Sequence, residues 1–183
     1  MRRADLVPDC GRCAALCCVA TSFDAGAAFA FDKAAGERCR HLRRDDRCAI
    51  HASLAARGFA GCAAYDCYGA GQRVTRAFAA TARSERERNA AFLAQRVVHE
   101  LLWQLTEAQK LCPASHAELR SAIAREIEAL DRAAREPLAA PPERVLEERR
   151  ERARWLLRDV GAALGRSPAA QPAFVASPSR DRR

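Results

Sequence analysis

Eight of the nine cysteines lie between Cys10 and Cys67, and three capped, helix-patterned stretches follow Arg83. With a thin aliphatic core, these observations predict a mostly α chain. A small irregular metal-stabilised cysteine-rich N-terminal domain is expected to pack on a C-terminal α-helical bundle. The expected division is 1–82 for the cysteine-rich metal-binding domain, 83–165 for a three-helix region and 166–183 for a disordered tail.

The thin core is a matter of counting. The chain has 183 residues, and 49% of them are nominally hydrophobic. Alanine supplies 42 of those 90 residues, while Leu, Ile, Val and Phe together number 34. Between Cys10 and Cys67 only nine such residues occur in 58 positions. A block so poor in large apolar side chains cannot offset the entropy of ordering its own backbone. Metal crosslinks are the supplement that its cysteines offer.

The helical region begins with Ser84 and Glu87, spaced as a capping box. Ala94, Val97, Val98, Leu101, Leu102, Leu105, Ala108 and Leu111 then recur on one helical face, and Pro113 ends the run. Ser115 and Glu118 predict a second capping box, followed by Leu119, Ile123, Ile127, Leu130 and Ala134. Pro137, Pro141 and Pro142 separate this helix from a third. Val145, Leu146, Ala153, Leu156, Leu157, Val160 and Leu164 mark that third helix, closed by Gly161 or Gly165. Short connections predict an antiparallel bundle. Residues 166–183 have Pro, Ser and Arg without periodicity.

The formal net charge is +8, from 31 basic and 23 acidic residues, and only Lys33 and Lys110 are lysines. A basic balance invites a nucleic-acid reading. Two four-thiolate metal sites, each carrying about −2, would lower the balance to roughly +4. The apolar run from Phe92 to Leu105 is broken by Arg96, His99 and Glu100, so no membrane span is expected. No continuous apolar run follows Met1-Arg2-Arg3-Ala4-Asp5, so no secretory signal is expected and the cytoplasm is the expected compartment. There, clustered cysteines serve as ligands or catalysts more often than as disulfides.

The candidate metal ligands are Cys10, Cys13, Cys17, Cys18, Cys39, Cys48, Cys62 and Cys67. Two cysteines two residues apart, such as Cys10 and Cys13, turn both sulfurs onto one metal while the intervening amides donate to them. A helix over 9–20, with Pro8 ahead of it, would place Cys10, Cys13 and Cys17 on one stripe. Cys18 then points away from the stripe. Adjacent cysteines rarely ligate one tetrahedral ion together, so Cys17-Cys18 suggests two sites. Four-thiolate zinc and iron–sulfur clusters both suit these ligands, and the spacing does not choose between them.

His41 and His51 lie near the cysteines but are not needed to complete two sets of four. His99 and His116 read as structural or solvated, and Cys112 as a buried residue at a helix end. Gly69 and Gly71, between the tyrosines of the 65–68 segment and Arg73, predict a tight loop that brings backbone close to a ligand. Gly69-x-Gly71 lacks the third glycine of a dinucleotide fingerprint.

The run Cys10-x2-Cys13-x3-Cys17-Cys18, then Cys39-x2-Leu42-x5-Cys48-x-Ile50-His51, then Gly61-Cys62-x2-Tyr65-x-Cys67 resembles the CxxCxxCC zinc- or iron-chelating domain family (YkgJ-like). Arg40 stands where that family often has proline, and His51 where it often has tyrosine. The segment from Tyr65 to Val74, with Leu101-Leu102-Trp103 and Leu105-Thr106-Glu107-Ala108, resembles the N-terminal region of bacterial, chiefly actinobacterial, pentapeptide-repeat proteins. That likeness covers roughly residues 4–135. Ala4-Asp5-Leu6 is a single match to the repeat, so the chain reads as a stand-alone or truncated form of the module. A distant similarity to flagellin lysine N-methylases implies an enzymatic possibility.

Three functions follow as expectations. The first is a metal-binding scaffold or regulatory module holding zinc or an iron–sulfur cluster, with protein partners docking on the helices. The second is an iron–sulfur-dependent redox or protein methyl-transfer enzyme, with Cys18 its suspected reactive residue. The third is a nucleic-acid-binding zinc module, disfavoured because Asp45 and Asp46 interrupt the basic run of Arg38, Arg40, Arg43, Arg44 and Arg47.

Overall fold

A computed structural model describes residues 3–139 and 141–165, so the expected tail at 166–183 lies outside the described residues. The chain is mostly helical, and strand pairing among the described residues is confined to isolated bridges. Six α-helices follow in order: α1 (Leu16–Ala20), α2 (Ala60–Ala64), α3 (Ala70–Phe78), α4 (Glu85–Leu111), α5 (Ala117–Arg135) and α6 (Glu143–Ala163).

The long helix α4 is the spine. Ser84 caps it as expected: the Glu87 amide donates to Ser84 Oγ at 3.3 Å, and the Ser84 amide donates to Glu87 Oε2 at 2.8 Å. Helices α5 and α6 pack on α4 and on each other. Their shared core takes Val97, Val98, Leu101, Leu102 and Leu105 from α4, with Ile123, Leu130, Leu146, Leu156 and Val160 from α5 and α6. Leu111, expected on the buried face, is exposed instead, because it is the last residue of α4. Gly165, with φ +67°, stands just beyond α6, whereas Gly161 lies inside that helix.

The second capping box does not form. Helix α5 starts at Ala117 behind His116, without a side-chain cap, and Ser115 Oγ instead meets His116 Nδ1 at 3.2 Å. Pro113 is the reason: the His116 amide is already bonded to the Pro113 carbonyl in a turn, which starts the helix one residue later than the Ser-x-x-Glu spacing requires.

The N-terminal half of α4 supports a second, smaller core. Leu16 and Ala20 of α1, with Ala70, Val74 and Phe78 of α3, bury against Ala91 and Phe92. The expected continuous helix over 9–20 is not formed. A single 3-10 turn covers Cys10–Arg12, Cys13 is extended, and Ala15 takes the left-handed conformation (φ 51°) before α1 begins. Leu16 is completely buried, and the reversal at Ala15 is what turns it inward. Between α1 and α2 the chain is held by bridges Phe23–Lys33 and Leu42–Cys48 and by the clustered rings of Phe23, Phe29, Phe31 and Phe59.

Candidate metal centre

Seven of the eight candidate ligands border one cavity. These are Cys10, Cys17, Cys18, Cys39, Cys48, Cys62 and Cys67, and the cavity measures about 230 Å³. Cys13 stands beside it, with its sulfur over Gly71. His41 and His51 also border the cavity. The His41 ring packs edge-on against Phe59 (centroids 5.3 Å apart), so it belongs to the aromatic wall. Cys112 is buried at the far end of α4, away from the cavity.

All nine cysteines are free thiols. Among the described residues, no three His, Cys, Asp or Glu side chains yet stand together as a metal-holding group.

The surroundings fit thiolate ligands. Burial raises the Cys13 and Cys67 thiols; the backbone at Leu16 and Ala15 and the Thr75 hydroxyl, which donates to Cys13 Sγ at 3.9 Å, act the other way on Cys13, and the backbone at Gly71 and Gly69 does so on Cys67. Hydrogen bonds to sulfur orient a thiolate and stabilise its charge. Gly71 is required here by close approach: a Cβ on it would lie 2.7 Å from Cys13 Sγ and 3.7 Å from Cys67 Sγ. Gly69 opens α3 with φ +80°, and a Cβ there would meet the Asp5 carbonyl oxygen. The expected tight loop is thus the entry to a helix that the sequence reading did not identify.

Burial and crowding raise Cys10, Cys13, Cys17, Cys62 and Cys67 above the ordinary thiol value. Burial pushes Cys62 up to about 11, and the charges of Cys17, Cys39 and Cys48 add to it. Cys17 is raised by its hydrogen bond to Cys18, then by burial and by the Cys18 charge. Cys10 is raised by burial, then by Cys17 and Cys13. A bound cation reverses this balance and makes deprotonation favourable.

Lys33 was not picked out as a functional residue. It is 3% exposed. Its ammonium donates to the carbonyls of Val19 (3.1 Å), Thr21 (2.5 Å), Ala34 (3.0 Å) and Glu37 (2.8 Å). Burial lowers its pKa, and the neighbouring charges of Cys39, Glu37, Cys18 and Cys17 raise it. The sequence signal was its rarity, one of two lysines against 29 arginines (31 − 2). A compact ammonium suits convergent carbonyls better than a planar guanidinium does.

Three of the arginines of 38–47 are engaged by neighbouring groups. Arg38 pairs with Asp46, and Arg43 with Asp45. Arg47 donates to the carbonyls of Cys10 and Gly11, which pins the ligand turn to the Cys48 loop.

His99 is completely buried, and its Nδ1 meets the Tyr68 carbonyl at 2.7 Å. Burial pushes it down to about 4, against the pull of the Tyr68 carbonyl. It is therefore a neutral structural histidine, as expected.

A helical scaffold carrying a cysteine-lined cavity is the class of protein these features define. No family model matches the chain, and no solved structure matches it. It is similar to a protein of Bacillus subtilis (strain 168) described as "Uncharacterized protein YybG", at 38% identity over 187 aligned positions. The match takes in 96% of this chain, which spans 64% of that relative's length. Among the described residues, no helix is long and apolar enough to cross a membrane.

Proposed function

We propose that the chain is a metal-binding protein whose clustered cysteines hold zinc or an iron–sulfur cluster, and that it serves as a scaffold or interaction module. The observation that carries this reading is the convergence of seven cysteines on one cavity, with the eighth directly behind it. Half-buried free thiols gathered in one place repel one another once ionised, and a metal removes that penalty. Zinc would act as a closed structural crosslink, and an iron–sulfur cluster would add electron transfer.

The scaffold reading is favoured over nucleic-acid binding because Arg38, Arg43 and Arg47 are engaged by Asp46, Asp45 and the Cys10–Gly11 backbone. Cytoplasmic residence and protein partners on the α4–α6 surface are parts of the same proposal. The resemblance to the chelating family and to pentapeptide-repeat N-terminal regions agrees with it.

The test is anaerobic purification with an absorption spectrum and elemental analysis of the same sample. Zinc in a colourless protein, or iron and sulfide with absorbance near ~400 nm, is the expected result. A metal-free protein whose cysteines all react with a thiol reagent would overturn the proposal.

A further inference from the structure

Taking the metal reading as its premise, we infer that the eight cysteines form two four-thiolate centres, back to back across the Cys17–Cys18 peptide. Cys10, Cys13, Cys17 and Cys67 form one, and Cys18, Cys39, Cys48 and Cys62 the other.

The first set is assembled on α3. Cys13, Cys17 and Cys67 pack against the same small core of Leu16, Ala20, Ala70 and Val74. Cys13 and Cys67 both place their sulfurs over Gly71. Cys10 is joined to Cys13 through one turn, with the Cys13 amide donating to the Cys10 carbonyl at 3.5 Å. That turn is fastened to α3 from both sides. The Ala14 amide donates to Thr75 Oγ1 (3.0 Å), the Asp9 amide to Gln72 Oε1 (3.1 Å), and Gln72 Nε2 to the Val7 carbonyl (2.8 Å).

The second set is assembled on the loops away from α3. The Cys39 amide donates to the Cys18 carbonyl at 2.9 Å, which brings residue 39 beside residue 18. The Leu42 amide donates to the Cys39 carbonyl at 2.9 Å, and Leu42 is bridged to Cys48. Cys62, on α2, faces the cavity from the loop side, the cavity itself being lined by members of both sets. Gly61 is in close packing with the Phe29 ring, where a Cβ would meet Phe29 Cζ at 2.2 Å. Buried Lys33 stands beside this set, and a four-thiolate zinc centre carries about −2 that one ammonium partly balances.

Cys17 and Cys18 are adjacent on α1 and both line the cavity, and it is the backbone around them that separates their neighbours: Cys17 packs with Cys13 and Cys67 on the small core, while the Cys18 carbonyl takes the Cys39 amide.

The experiment is native mass spectrometry and elemental analysis of the anaerobically isolated full chain and of two paired variants, C13S/C67S and C39S/C62S. Two equivalent centres are expected in the unmutated protein and one in each variant, a twofold fall. Hydrogen exchange across α1, α3 and the first turns of α4, which share the small core with the cysteines, checks that each variant keeps its fold there. A single centre in the unmutated protein, a measurement that needs no variant, overturns the division. Loss of all metal from either folded variant overturns it too, because one shared centre would behave that way. No metal at all in the unmutated chain overturns the metal reading itself, and this inference with it.

Discussion

Substituting Gly71 by alanine tests whether α3 is shaped to receive a sulfur. Glycine within a helix is destabilising by about 1 kcal/mol relative to alanine. On propensity alone, Gly71→Ala would stabilise the chain by up to that amount. Its Cβ, however, would lie 2.7 Å from Cys13 Sγ, closer than real Cβ atoms approach a heavy atom. The Cys13 backbone is held by the turn fastened to α3 through the Ala14–Thr75 hydrogen bond at 3.0 Å, so relief has to come from turning the sulfur out of its present seat on α3. Overpacking of this kind costs about 1–3 kcal/mol. The expected net effect is therefore a destabilisation of up to about 2 kcal/mol.

Gly161, inside α6, is the control, because nothing lies within 4 Å of its added Cβ. Gly161→Ala should stabilise by about 1 kcal/mol. Urea unfolding of both variants gives the comparison. Adding Cys13→Ala to the Gly71 variant should relieve the clash, so a double-mutant cycle isolates it. If Gly71→Ala stabilises as much as Gly161→Ala, the close approach of Cys13 to α3 is wrong.

Lys33→Met removes a charged donor from four buried carbonyls and should cost about 3–5 kcal/mol, read by urea unfolding, with lost amide protection over 18–39. Ser84→Ala removes the cap of α4 and should cost about 1 kcal/mol by the same measurement. His99 is held at about 4 in the fold against 6.5 as its ordinary value. Its contribution is therefore fully present above pH 6.5 and falls away between 6.5 and 4, by about 3 kcal/mol in all. Arg73 and Asp5 also act on His99, and the carboxylates titrate in the same window, so the measurement is the difference between His99 and His99→Gln chains over that range. A stability difference that stays flat with pH would refute a buried neutral His99.

The helices of the second half were legible because their information is local. Apolar residues at helical spacing, a Ser84–Glu87 box and prolines at the junctions act within a few residues, and α4, α5 and α6 follow them. The errors there are end effects: the Pro113 turn displaced the start of α5, and Leu111 fell on the last residue of α4. The cysteine region was legible as composition but not as geometry. Spacing put Cys10, Cys13 and Cys17 on one helix, yet Ala15 reverses the chain so that Leu16 reaches the small core. That reversal is decided by Val74 and Phe92, far away in sequence. Helix α3 was missed because its short apolar pattern, Ala70, Val74 and Phe78, follows a glycine-rich segment that reads as loop. Lys33 was missed because four carbonyls assembled from different turns leave no mark on a linear pattern.

The two cores meet on one helix, and that sets what metal removal should do. Ala91 and Phe92 of α4 belong to the small core beneath Cys13, Cys17 and Cys67, while Val98 to Leu105 belong to the bundle. If thiolate–metal bonds replace the apolar area that residues 10–67 lack, chelation should release α1 and α3. Phe92, completely buried now, then loses part of its cover. Hydrogen exchange after chelation should therefore show lost protection over 10–78 and in the first two turns of α4. The rest of α4, with α5 and α6, should keep its protection, because Ile123, Leu130 and Leu156 are buried within the bundle alone. Release that stopped at residue 82 would mean that α4 does not depend on the small core. Release that spread through α6 would mean that the chain unfolds as one unit and that the bundle has no stability of its own.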